Sequence, residues 1–195
     1  MANDDTRQTI RGYVSDMLSL ERHILEPIGH QVNDENVGAY PYAAQLVRSI
    51  NSTVESHVSA LGAALESLGG HGTHPIKEAW SAFTGAAASA VNAARTNPVS
   101  RGLRDDYTAL SLATAGYTLL HATSLALGDT ATARLAERHL KDYTPLVMQI
   151  SAVLPQIGID ELRAEGVDVD PTVTGESVAR THEAWRTGSA PAPVR

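Results

Sequence analysis

Residues 6–31, TRQTIRGYVSDMLSLERHILEPIGHQ, decide the fold. Their apolar side chains fall at Ile10, Val14, Met17, Ile24 and Ile28, in steps of three, four and seven, the spacing of one face of an α-helix. Asp4 or Asp5 is placed to cap its start. A second stretch of the same kind runs from about Tyr42 to Leu68 through Val47, Ile50, Val54, Leu61 and Leu68, and stops at Gly69-Gly70. The link from Val32 to Ala39 holds Asn33, Asp34, Asn36 and Gly38, so it is short and polar and sets the two helices side by side and antiparallel.

Three more segments complete the pattern. Pro75 to about Arg95 is helical and small-faced, ended by Asn97-Pro98. From about Ser100 to Leu127 the periodic residues are Leu103, Tyr107, Leu110, Tyr117 and Leu120, closed by Gly128-Asp129. The last long helix is predicted from Thr130 to about Leu154, with Leu135, Leu140, Val147, Ile150 and Val153 inward and a kink at Pro145. Two antiparallel pairs joined by a crossing segment describe an all-α, ferritin-like four-helix bundle with an extra crossover helix over residues 1–157. Residues 158–195 are broken by glycine and proline and read as an irregular C-terminal tail. Its one short amphipathic helix, Glu176 to Arg186, carries Val178, His182 and Trp185 on one side, to dock on its own bundle, to swap onto a partner subunit or to serve as a flexible recruitment motif.

Composition agrees. Alanine occurs 29 times and aromatic residues make up 5% of the 195, a bias toward close helix packing and away from sheets. The balance of 22 acidic against 15 basic side chains, a net charge of −7, disfavours a nucleic-acid binder, which needs surplus cations to displace counterions. Cysteine is absent, so thiolate chemistry is excluded and a metal site would fall to histidine and carboxylates. No apolar run approaches the roughly 18 residues that cross a bilayer, and the expected location is cytoplasmic, without membrane association.

The chemistry-bearing candidates lie on the helical faces. Glu21 sits within the stripe of Val14, Met17, Ile24 and Ile28, where a carboxylate must find a partner or cost several kcal/mol. His57 falls on the stripe through Ile50, Val54 and Leu61, whereas Glu55 turns to the flank. Two E-x-H strings, Glu55-Ser56-His57 and Glu137-Arg138-His139, place their acids about 200° from their histidines, so neither string is a metal motif. His71 and His74 form a loop pair too sparse for a site, and His121 is expected inward beside Tyr117. No nucleophile triad, phosphate loop or dinucleotide fingerprint has its required context.

Across about residues 8–155 the chain resembles the YciE/YciF group of ferritin-like bacterial proteins. The first helix is similar over Tyr13-Val14-Ser15-Asp16-Met17-Leu18-Ser19-Leu20-Glu21-Arg22, the second over Glu55-Ser56-His57-Val58 and Leu65-Glu66-Ser67-Leu68-Gly69. The fourth is similar around Tyr117-Thr118-Leu119 and Ala126-Leu127-Gly128-Asp129, and Trp80 to Arg95 is placed as the family places its intervening helix. The resemblance implies a stress-associated bundle, often dimeric, with inward carboxylates able to hold a metal pair. This chain departs from it at three places. Ala113 stands where the family has a glutamate, Leu140-Lys141-Asp142-Tyr143 keeps one carboxylate of an acidic pair, and Val54 occupies the position of an E-x-x-H partner for His57. What remains is a remnant metal set of Glu21, Glu55, His57 and Asp142. The expectation is a ferritin-like protein with a degenerate metal site, a structural or interaction module that binds no cofactor and forms a homodimer or higher homo-oligomer. The competing expectation is an iron or manganese oxidoreductase of the same class.

Overall fold

The computed structural model describes residues 4–70 and 98–188, and among them the chain forms six helices and no strand. They are α1 (Asp4–Val32), α2 (Glu35–Gly38), α3 (Pro41–Ser67), α4 (Pro98–Ala126), α5 (Thr130–Ala164) and α6 (Val173–Thr187). The third predicted helix, the His71/His74 pair and the last seven residues lie outside the described residues.

The four long helices form a bundle, and its topology follows from which residues meet. Arg7 donates to the Ser67 carbonyl at 2.8 Å and Glu21 faces His57, so α1 and α3 are antiparallel. Gln31 meets Asp106 and Glu21 meets Tyr117, which makes α1 and α4 antiparallel as well. Val99 meets Glu161 and Tyr117 meets Tyr143, giving the same relation for α4 and α5. It follows that α3 and α4 run in the same direction. The end of α3 and the start of α4 therefore lie at opposite ends of the bundle, as the two-pair reading with a long crossover expects.

Each long helix turns inward a stripe built from steps of three and four residues. On α1 it is Ile10, Val14, Met17, Glu21, Ile24 and Ile28; on α3, Val47, Ile50, Val54, His57, Leu61 and Leu65. On α4 it is Val99, Leu103, Asp106, Leu110, Ala113, Tyr117 and Leu120; on α5, Thr132, Ala136, His139, Tyr143, Leu146 and Ile150. A repeat near 3.5 residues keeps each seam facing its neighbours when helices cross at about 20°. Small residues bring the axes together: a Cβ on Gly116 of α4 would stand 2.5 Å from the Met17 sulfur of α1.

Local signals fix the ends. Gly69 and Gly128 take positive φ, 77° and 75°, at the exits of α3 and α4. The Asp129 carboxylate then accepts from Ala131 N and Thr132 N, both at 3.1 Å, as the N-cap of α5. Asp34 accepts from Asn36 N in the same way for the single turn α2, which lies within the short polar link. Asp4 and Asp5 lie inside the first turn of α1, where a carboxylate favours the positive helix end, and not at a cap position.

The last long helix differs most from expectation. It does not stop near Leu154 but continues through Pro155 to Ala164, burying Ile157 and Glu161 on the same seam. Pro145 is accommodated because it sits on the exposed side of the helix. The extension has a use: Glu161 accepts from the backbone N–H of Val99 at 2.8 Å and of Ser100 at 3.2 Å, satisfying first-turn donors of α4 from a neighbouring helix. The short helix α6 forms as expected, slightly longer. It packs against α5 and sets Trp185 6.4 Å from the Tyr107 ring, but buries none of its residues.

Replacing Glu161 by alanine leaves the Val99 N–H unpartnered in a buried place, so Glu161→Ala is expected to cost about 1–3 kcal/mol in urea denaturation. Glu165→Ala, one turn on and exposed, is expected within about 0.5 kcal/mol of the parent, and equal losses for the two would contradict the interhelical cap.

Candidate functional site

All four long helices contribute to one polar layer at mid-bundle. Glu21 of α1 is wholly buried, as are Tyr117 of α4 and Tyr143 of α5, while His57 of α3 and His139 of α5 are all but inaccessible. The Tyr117 hydroxyl donates to Glu21 Oε1 at 2.5 Å, and the Tyr143 hydroxyl donates to Glu21 Oε2. His57 Nδ1 stands 3.3 Å from Glu21 Oε1, and its Nε2 stands 3.2 Å from Oδ2 of Asp142. Asp142 is at the mouth of this layer, with 47% of its side chain exposed. A neutral imidazole donates to one of these carboxylates and an imidazolium to both.

The second histidine fills the remaining space. The His139 ring stacks on His57 with centroids 3.7 Å apart and planes 11° from parallel, and meets Tyr117 edge-on at 4.9 Å. Its Nδ1 has no hydrogen-bond partner among the described residues. Burial above all, then the nearby His57 and Arg138, pushes its pKa down to about 3, so the stack holds a neutral ring at ordinary pH. Burial, with the Glu21 carboxylate next to them, raises the pKa of both tyrosines, which keeps their protons in place as donors to Glu21.

The energetics explain why this arrangement is stable. A carboxylate moved into the dry centre of a bundle loses several kcal/mol of hydration. Hydrogen bonds to a charged group return about 1.5–3 kcal/mol each, and Glu21 receives two from phenols with an imidazole beside them. The carboxylate is satisfied by protein donors alone.

Of the four residues singled out in the sequence, the structure brings three together: Glu21, His57 and Asp142. Glu55 is not among them; it is exposed and accepts from Asn51 Nδ2 at 2.9 Å, because residues two apart on a helix face opposite ways. Ala113 is fully buried on the α4 seam, one turn before Tyr117, and offers no donor atom. His121, expected inward, is only half-buried. Sequence reasoning missed His139, treating Leu140 as the inward residue. The signal was its spacing of four from Tyr143, which itself lies three before Leu146 and seven before Ile150.

A two-metal site in such a bundle takes about four carboxylates and two histidines. This layer supplies one buried carboxylate, both of whose oxygens accept phenol protons, and one half-exposed aspartate. Among the described residues no three histidine, aspartate or glutamate side chains are arranged to hold an ion. The donor set does not fit a dinuclear centre.

No family model and no curated protein matches the chain. A crystal structure of a protein from Xanthomonas campestris pv. campestris str. ATCC 33913 has the same fold, with a TM-score of 0.68 at 15% identity, over 84% of this chain and 99% of that one. The likeness extends to the helical architecture and carries no activity with it.

Tyr143→Phe removes one of two phenol donors without changing shape, and a loss of about 1.5–3 kcal/mol is expected in urea denaturation; an unchanged midpoint would contradict the bond to Glu21. His139 provides a pH test. Its native pKa of about 3 lies below the ordinary 6.5, so between those values the unfolded chain binds a proton that the folded one refuses, and stability falls as pH is lowered through that window. His139→Gln is expected to flatten the dependence near pH 5 by about 1.4 kcal/mol per pH unit, and identical slopes would show that His139 titrates freely in the fold.

Proposed function

We propose that this chain is a ferritin-like, stress-associated protein akin to the YciE/YciF group whose metal centre has decayed, and that it serves as a structural or interaction module. The observation that supports this is the occupation of both Glu21 oxygens by tyrosine hydroxyls. Tyr143 stands where the resemblance calls for a second carboxylate, and its proton takes the role that a cation would have played. Ala113, buried on the α4 seam, removes a further ligand. A centre rebuilt in this way keeps the helices in register without iron or manganese.

In this role the exposed apolar side chains become the working surface. Leu119 and Leu125 on α4, and Val173 and Trp185 on the tail helix α6, stand in solvent and suit a homodimer or higher homo-oligomer in which the tail reaches a partner subunit. Among the described residues no helix is long and apolar enough to cross a membrane. A cytoplasmic location is part of the same reading.

The second reading, a non-haem iron or manganese oxidoreductase, draws on one observation: His139 Nδ1 is buried and without a partner among the described residues, in the same layer as His57 and Asp142. Elemental analysis separates the two. Protein produced without a histidine tag or chelators is expected to carry only trace iron and manganese, and to oxidise iron(II) no faster than its Glu21→Ala and His57→Ala variants. A full equivalent of either metal per chain, lost in both variants, would overturn the degenerate-site reading.

A further inference from the structure

A second buried acid lies away from the central layer, and its surroundings have the form of a ligand site. Asp106 of α4 is 3% exposed. Its Oδ1 accepts from Gln31 Nε2 at 2.8 Å, and its Oδ2 has no partner among the described residues. A carboxylate offers about four acceptor positions, so one hydrogen bond leaves a buried Asp106 far from satisfied. The contrast with Glu21, whose two oxygens both accept protons, is complete.

Asp106 lines a groove of about 340 Å³ between α1 and α4. Such a volume is at the small end of the range, roughly 300–1,000 Å³, in which small-molecule sites occur. Ile24, Pro27 and Ile28 of α1 give it an aliphatic wall, and Gln31, Arg101 and Asp105 add polar groups. Gln31 lies against α4 at the polar end: a Cβ on Gly102 would stand 3.4 Å from Gln31 Oε1. The Asp106 carboxyl group and the Gln31 amide thus line one apolar-walled groove.

We propose that this groove binds a small primary amine, an ammonium on a short aliphatic body, with the ammonium against the Asp106 carboxylate and the body along Ile24, Pro27 and Ile28. The chemistry follows from what the groove lacks. An ammonium carries three donors and a positive charge, and it supplies the missing hydrogen bond in its stronger, charge-assisted form. Arg101 from α4 faces the same groove, and its positive charge restricts the ligand to a single cationic centre, excluding polyamines. This site is separate from the mid-bundle layer and does not depend on whether that layer has lost a metal.

The proposal carries a pH dependence. Burial raises the Asp106 pKa to about 7, with the adjacent Asp105 also raising it and the Gln31 hydrogen bond opposing. An ammonium binds the ionised carboxylate, so affinity is expected to be weaker below that value and to increase about tenfold from pH 6 to pH 8.

The test uses the full chain, labelled with ¹⁵N and titrated with n-butylammonium while amide shifts are followed. Saturable shifts confined to residues around Ile24–Gln31 and Arg101–Ala109, with a Kd in the millimolar range, are expected. n-Butanol, which has the same body without the charge, is expected to bind at least about tenfold more weakly. Asp106→Asn retains the acceptor for Gln31 and removes the charge, and is expected to abolish the saturable shifts while leaving the spectrum of the folded bundle. No saturable shifts in the parent protein, equal binding of amine and alcohol, or undiminished binding to Asp106→Asn would each overturn the proposal. The comparison of amine with alcohol, made on the parent protein, decides the matter even where the variant fails to fold.

Discussion

A carboxylate in the dry centre of a helical bundle is the constraint from which the rest of this structure follows. Glu21 has no water to turn to, so each surrounding helix must bring it a donor or make room for one. Helix α4 brings Tyr117, α5 brings Tyr143 and α3 brings His57. Because these donors come from three different elements, their bonds to one side chain fix axial register as well as distance. An apolar layer tolerates sliding by a fraction of a turn at little cost, whereas a short hydrogen bond between helices does not.

The two buried acids show how strongly local supply decides behaviour. Glu21 and Asp106 both occupy seam positions, four residues after an apolar neighbour on one side or three on the other. Around Glu21 the phenols are poised as donors and hold their protons firmly. Around Asp106 a single amide serves one oxygen, the second has no partner among the described residues, and the residue lines an apolar-walled groove. The first arrangement is closed and structural. The second is open to a molecule that brings the absent donor with it.

Much of this was legible in the sequence because the apolar spacing is regular. The three-four rhythm of α1 and α3 located both helices to within a residue or two and put Glu21 and His57 on inward faces, where the structure has them. Reading failed where the rhythm passes through polar residues. On α5 the inward positions include Thr132, His139, Tyr143 and Glu161, so apolarity alone selected Leu140 and Val147, which are only half-buried, one position out of phase. The same blindness hid Asp106, midway between Leu103 and Leu110 on a seam otherwise correctly placed. The length of α5 was missed for another reason. Pro155 and Gly158 are poor helix formers, but burial of Ile157 and the interhelical cap by Glu161 outweigh their local cost. Glu55 was retained in the site for its resemblance to a family string, although the angular argument already turned it outward.

The central claim, that tyrosine hydroxyls satisfy Glu21 in place of a cation, is tested most directly by a double-mutant cycle. Unfolding free energies are measured for the parent, Glu21→Gln, Tyr117→Phe and the double variant, all in the presence of a chelator. The expected coupling between the two positions is about 1–3 kcal/mol, the worth of a buried hydrogen bond to a charged group. A coupling indistinguishable from zero, or one that appears only when iron or manganese is added, would contradict it.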